Sequence, residues 1–171
     1  AANNYKHKLY GDEYVMSVVA QFKEALEMTT APGGLLELTT IERDGVPVKA
    51  FAQAPGSMRD LWALSTGHGD AEYLIYNDER WTYAQTAKIV AEFGGWLMEQ
   101  GVGPGDHVAI AMRNYPEWME AYTAIASLGA IVVPLNSWGS AEELEFVLRD
   151  SAADIVFCDA RRLELLTPML A

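Results

Sequence analysis

From Thr82 to the end of the chain, short apolar runs alternate with segments carrying helix start and stop signals, and this alternation narrows the fold more than any other feature. A helix leaves its first N–H groups without intrahelical partners, so an acceptor is expected at its start. Three capping boxes supply one: Thr82 with Gln85, Asn114 with Glu117 and Ser140 with Glu143. Gly101 and Gly129 can adopt the left-handed conformation that ends a helix, and Arg149 sits where a cation favours the C-terminal dipole. Between these helices lie His107–Met112, Ala130–Val133 and Asp154–Cys158, which are mostly apolar and β-branched with no two-residue alternation. Such runs predict strands covered on both faces. The order helix, strand, helix, strand, helix, strand, followed by a helix over Arg162–Leu170, predicts an α/β fold: a three-layer, mostly parallel sheet with flanking helices. The chain ends where a further strand is expected, so the subdomain reads as incomplete.

The preceding residues are patterned differently. Val15, Val18, Val19, Phe22 and Leu26 approximate helical spacing over Tyr14–Met28, and Pro32-Gly33-Gly34 breaks the pattern. Leu35–Ile41 and Val46–Phe51 flank Glu42-Arg43-Asp44-Gly45, which predicts a hairpin on an Asp-Gly turn. A short helix is expected from Ser57, with Met58, Leu61, Trp62 and Leu64 on its apolar side. A second hairpin is expected from Tyr73–Tyr76 and Arg80–Thr82 around Asn77-Asp78-Glu79. Two parts follow: a helix and hairpin extension over residues 1–70, and a truncated α/β subdomain over 71–171.

Composition limits the function. Half of the 171 residues are apolar and 21% charged, which excludes a disordered chain. Twelve Lys and Arg oppose 24 Asp and Glu, and the net charge of −12 repels phosphate backbones and anionic lipid. Nucleic acid is therefore not an expected partner. All five lysines lie at or before position 88, so an anion site in the second half must use arginine, backbone N–H groups or helix ends. Cys158 is the only cysteine, which removes internal disulfides and cysteine-based zinc sites and fits a reducing cytoplasm. Ala1–Tyr10 has Lys6, His7 and Lys8 but no following apolar core, unlike a secretory signal, and the absent Met points to a processed or engineered end. Ala121–Ala141 carries no charge, but Gly129, Pro134, Asn136, Ser137 and Ser140 interrupt it, so no membrane span is expected.

Few motifs carry chemistry. Gly101, Gly103 and Gly105 approach a dinucleotide fingerprint, but Asp106 holds the place of its third glycine and the loop closes a helix instead of opening one. A C-cap and turn is the stronger reading. No Gly-Lys pair exists, which excludes the Walker-type phosphate loop. Leu135 stands where a nucleophile elbow around Ser137 needs glycine. Cys158 reads as buried filler, His7, His68 and His107 lack metal-ligand spacing, and Glu142, Glu143 and Glu145 are accounted for by the first turn of a helix. Arg161 and Arg162 follow the third parallel strand, at the edge where open α/β sheets bind ligands, and can reach a phosphate. Solubility and weak ion pairs are the plainer account of two adjacent surface arginines.

Trp81-Thr82-Tyr83-Ala84, Gly101 to Ile110, Asn114-Tyr115-Pro116-Glu117-Trp118, Gly129 to Asn136 and Glu142-Glu143-Leu144 together resemble, in order and spacing, the adenylate-forming superfamily. The likeness covers roughly Tyr73–Asp159 and is greatest to bacterial fatty-acyl-CoA synthetases, whose N-terminal portion it matches. The resemblance implies a reaction in which a carboxylic acid and ATP give acyl-AMP and pyrophosphate, and CoA then displaces AMP to give the thioester. ATP, Mg²⁺ and CoA are the implied cofactors of the intact enzyme, with none expected on this piece alone. The family's glycine-rich, lysine-bearing phosphate loop, its ribose-binding aspartate and the lysine of its mobile C-terminal domain are absent here. The resemblance thus implies an inactive scaffold whose partner is the rest of its own chain. It also implies that Arg161 and Arg162 lie near the 3′-phosphate of CoA. Two alternatives stand: a fragment of a peptide-synthetase adenylation domain, and a complete small α/β ligand-binding module. An unfinished sheet is further expected to expose apolar surface and to favour a homodimer.

Overall fold

The computed structural model describes residues 17–169, so the expected helical positions 14–16, the whole amino-terminal stretch before them and Leu170 lie outside the described residues. Two compact units divide at Ala54/Pro55.

The first unit contains helix α1 over 17–30 and strands β1 (Leu38–Arg43) and β2 (Val46–Phe51). The strands pair antiparallel with Arg43 opposite Val46, which leaves Asp44-Gly45 as a two-residue turn at φ 51° and 77°. Those positive angles make Asp-Gly the fitting pair. Gly34 is required for another reason: a Cβ there would collide with the Thr29 carbonyl at the end of α1.

The second unit begins with helix α2 (Met58–Thr66), capped by Ser57, whose Oγ accepts from Asp60 N at 3.1 Å. Hairpin β3 (Glu72–Tyr76) and β4 (Glu79–Thr82) follows, turned by two residues, with Asn77 at φ 52°. Next come α3 (Tyr83–Glu99), β5 (His107–Ala111), α4 (Pro116–Ser127), β6 (Ile131–Pro134), α5 (Ala141–Ser151), β7 (Ile155–Cys158) and α6 (Ala160–Leu166). A single 3₁₀ turn, Thr167–Met169, ends the described chain. Helix α2 packs on α3 and α4, so it belongs with the second unit although the sequence pattern places the boundary near residue 70.

Strands β6, β5 and β7 form a parallel sheet in that order. Two cores lie on its faces. Val108 and Ile110 of β5 meet Val90 and Leu97 of α3 and Ala121 and Ile125 of α4, whereas Ala109 and Ala111 meet Leu144 of α5 and Leu166 of α6. The alternation along β5 thus feeds two helical layers, and the second unit has the expected three-layer α/β arrangement. Covering on both faces is complete only for β5, because β6 and β7 are edge strands with half-exposed positions.

The capping boxes at Thr82/Gln85 and Ser140/Glu143 form with both reciprocal bonds. The box expected at Asn114/Glu117 does not: Tyr115 is the N-cap of α4 and makes no side-chain cap bond. The reason is Pro116, whose ring keeps Tyr115 extended and suits the first helical position. Gly101 (φ 88°) and Gly129 (φ 79°) end α3 and α4 as expected, but α5 ends on Ala152 at φ 49°, a left-handed cap without glycine. Helix α6 starts at Ala160 instead of Arg162, because Asp159 provides its cap.

Candidate functional site at the carboxyl edge of the sheet

Among the described residues, the chain leaves β5 for β6 on one side and then crosses to β7 on the other, so the direction of winding reverses between β5 and β7. Open parallel sheets form a ligand crevice outside the strand ends at such a point, because the two outgoing loops part there. A crevice of about 440 Å³ occupies this place, lined by Tyr76, Met112, Tyr115, Glu117, Cys158 and Asp159. Its titratable walls are acidic, and it presents no cation.

Asp159 dominates the edge electrostatically. Burial pushes its carboxyl up, but hydrogen bonds from Arg162 N and Arg113 N, each at 3.0 Å, and from the Arg162 guanidinium outweigh burial and hold it below its ordinary value. Arg162 Nη1 donates to both Asp159 oxygens at 3.2 Å, while Nε and Nη2 donate to the Ser137 carbonyl, Nε at 2.9 Å. Arg162 is only 5% exposed. Its guanidinium therefore faces inward, and a contact from it to an external phosphate would cost this network. Arg161 is exposed and has no carboxylate partner among the described residues. The adjacent arginines expected to act together thus part company, one outside and one inside.

Sequence reading missed Arg113 and Trp138. The Arg113 guanidinium lies 3.1 Å from the centre of the Trp138 ring, and Trp138 is 79% exposed. Arg113 likewise has no carboxylate partner among the described residues, so a cation and an open aromatic face stand together on the rim. The available signal was positional, since both residues sit in loops that follow parallel strands.

The remaining candidates resolve as structure. The Gly103 N–H donates to Asp106 Oδ2 at 2.7 Å and the Gly105 N–H to the Gly129 carbonyl at 3.0 Å, so the glycine loop spends its donors internally, at the opposite edge of the sheet. His107 Nδ1 meets the Ser151 carbonyl, an acceptor only, so Nδ1 carries the proton. Burial, and then the neighbouring Asp159 charge, push the Cys158 thiol up, which keeps it protonated and a poor nucleophile. No group of three His, Cys, Asp or Glu among the described residues is arranged to hold a metal ion. No described helix is long and apolar enough to cross a membrane.

The comparisons with known proteins agree with this fold. The family model described as AMP-binding enzyme matches residues 61–170. YngI of Bacillus subtilis (strain 168) is 38% identical over 107 residues, which cover 61% of this chain and 20% of that protein. The long-chain-fatty-acid–CoA ligase FadD13 of Mycobacterium tuberculosis (strain ATCC 25618 / H37Rv) is 36% identical over 83 residues, 48% of this chain and 16% of the ligase. A crystal structure of the N-terminal domain of FACL13 from Mycobacterium tuberculosis superposes with a TM-score of 0.64 at 27% identity, over 68% of this chain and 31% of that one. The chain spans about a fifth of the length of the curated relatives it matches.

Proposed function

The chain belongs to the AMP-binding enzyme family, and we propose from this membership that it is a structural part of an ATP-dependent acyl-CoA synthetase. The match over residues 61–170 carries the proposal, because it takes in the whole winding reversal and its carboxyl edge. The whole enzyme would join a carboxylic acid to ATP, release pyrophosphate, and pass the acyl group from acyl-AMP to CoA. A fatty-acid substrate is favoured by the likeness to a protein named as a long-chain-fatty-acid–CoA ligase, and a cytoplasmic location suits such chemistry.

The described residues do not fit the polyphosphate of ATP. The crevice is walled by Glu117 and Asp159, and the glycine loop has no spare donors. Nor is any group of three His, Cys, Asp or Glu among the described residues arranged to hold a metal ion. No step of the reaction is therefore assigned to ATP or Mg²⁺ on these residues. For the nucleotide end of CoA the rim is better suited: Arg161 is exposed and cationic, and a 3′-phosphate is a fitting anion for it. Arg162 supports this rim from inside.

The test is thioester formation by the full-length gene product with a panel of carboxylic acids. Production of acyl-CoA, with AMP and pyrophosphate in equal amount, is the expected outcome. Adenylation without transfer to CoA, and with transfer to a carrier protein, would reassign the chain to a peptide synthetase. Substitution Arg161→Ala is expected to raise the KM for CoA about 3- to 10-fold, the loss of one charge-assisted contact.

A further inference from the structure

Arg162 and Asp159 do more together than cap a helix. Asp159 Oδ2 takes the Arg113 N–H from the loop after β5, and Arg162 donates to the Ser137 carbonyl in the loop after β6, 25 residues away. The two side chains themselves stand at the end of β7, so one ion pair reaches all three carboxyl-edge loops. Both side chains are nearly enclosed, with 6% of Arg162 and 14% of Asp159 exposed. A buried ion pair seldom adds stability over a well-packed apolar pair, so its presence asks for another explanation. The bonds suggest one. Arg113, whose N–H is held by Asp159, lays its guanidinium on Trp138, and Trp138 is the residue after Ser137, whose carbonyl is held by Arg162. The pair thereby sets both halves of the exposed cation–aromatic contact at once.

We propose that Asp159 and Arg162 are positioning residues that lock the loops after β5, β6 and β7 into one arrangement and so place the rim of Arg113, Trp138 and Arg161 for the CoA-binding step. This rests on the acyl-CoA synthetase reading for the step it serves, but the locking itself does not. Lysine is not equivalent to Arg162, because the guanidinium fork aims separate nitrogens at the Asp159 carboxylate and the Ser137 carbonyl, whereas an ammonium holds its three donors on one atom.

The test uses the full-length gene product with Asp159→Asn, Arg162→Lys and Arg162→Met, and two measurements. In amide hydrogen exchange, all three variants are expected to speed exchange about 10-fold or more in 112–115 and in 135–140, with the first-unit hairpin over 38–51 at wild-type rates. Faster exchange confined to 159–163 would show a local helix cap and overturn the proposal. In steady-state kinetics, each variant is expected to raise the KM for CoA about 10-fold and that for ATP less than 3-fold. Equal changes in both, or a full rescue by Arg162→Lys, would show a merely structural role and overturn it. A wild-type protein that forms no CoA thioester would defeat the functional reading, and the exchange pattern would still decide the locking.

Discussion

Asp159 illustrates how one carboxylate acquires several duties through position alone. Its folded value lies below the ordinary one, so its contribution to stability is present at neutral pH and is lost as pH falls below about 3.8 and through the depressed value. Asp159→Asn is expected to cost about 3–5 kcal/mol at pH 7, because it leaves Arg162 buried without its counter-charge. The double substitution Asp159→Leu with Arg162→Met is expected to cost less than either charge removal alone, as denaturant titration would measure. Glu120 works in the opposite sense. It is 8% exposed, and burial, then the Glu117 charge, hold its carboxyl above the ordinary value of 4.5. The folded state therefore retains this proton more tightly, and stability contributed here falls as pH rises from about 4.5 through the raised value. Glu120→Gln is expected to flatten that slope in the same titration repeated across pH. At this scale the sequence showed part of the site: Arg161 and Arg162 at the carboxyl edge were legible, whereas the cap that Asp159 makes with Arg162 was not read. Their longer reach was invisible, because Ser137 and Arg113 come near only when three strands pair.

The elements were the most legible level, since their signals are local. Asp-Gly dictated the first hairpin, and Ser140 with Glu143 dictated the start of α5. Ser140→Ala is expected to destabilise the second unit by about 1 kcal/mol, read as a fall in denaturation midpoint, because Glu143 N then loses its acceptor. Where two local signals competed, the stiffer one won. Asn114 with Glu117 satisfied the cap pattern, but Pro116 fixes its own φ and constrains Tyr115, so the helix opens one residue later. Ala152 shows the converse: a left-handed cap with no glycine to announce it. Ile110 is fully buried at the centre of β5, and Ile110→Ala is expected to cost about 3–4 kcal/mol.

For the whole molecule, the winding order explains both what is closed and what is left open. Strand β5 is sealed between two helical layers, whereas β6 and β7 each pair on one side only among the described residues. Ile131 on β6, Trp96 on α3 and Phe146 on α5 are 47%, 42% and 68% exposed. The unit boundary was the least legible feature, because α2 has a loop-like prelude at Pro55-Gly56 and joins the second unit through its packing on α3 and α4. The proposed role rests at this scale on an imbalance: among the described residues the carboxyl edge presents Arg113 against Trp138 and an exposed Arg161, whereas the lining of the crevice carries no cation. Pyrophosphate exchange into ATP, measured in the presence of a carboxylic acid, addresses that imbalance most directly when the 171-residue chain and the full-length gene product are compared. Acid-dependent exchange by the gene product and none by the chain is the predicted result; exchange by the 171 residues alone would contradict the assignment of this chain as scaffold.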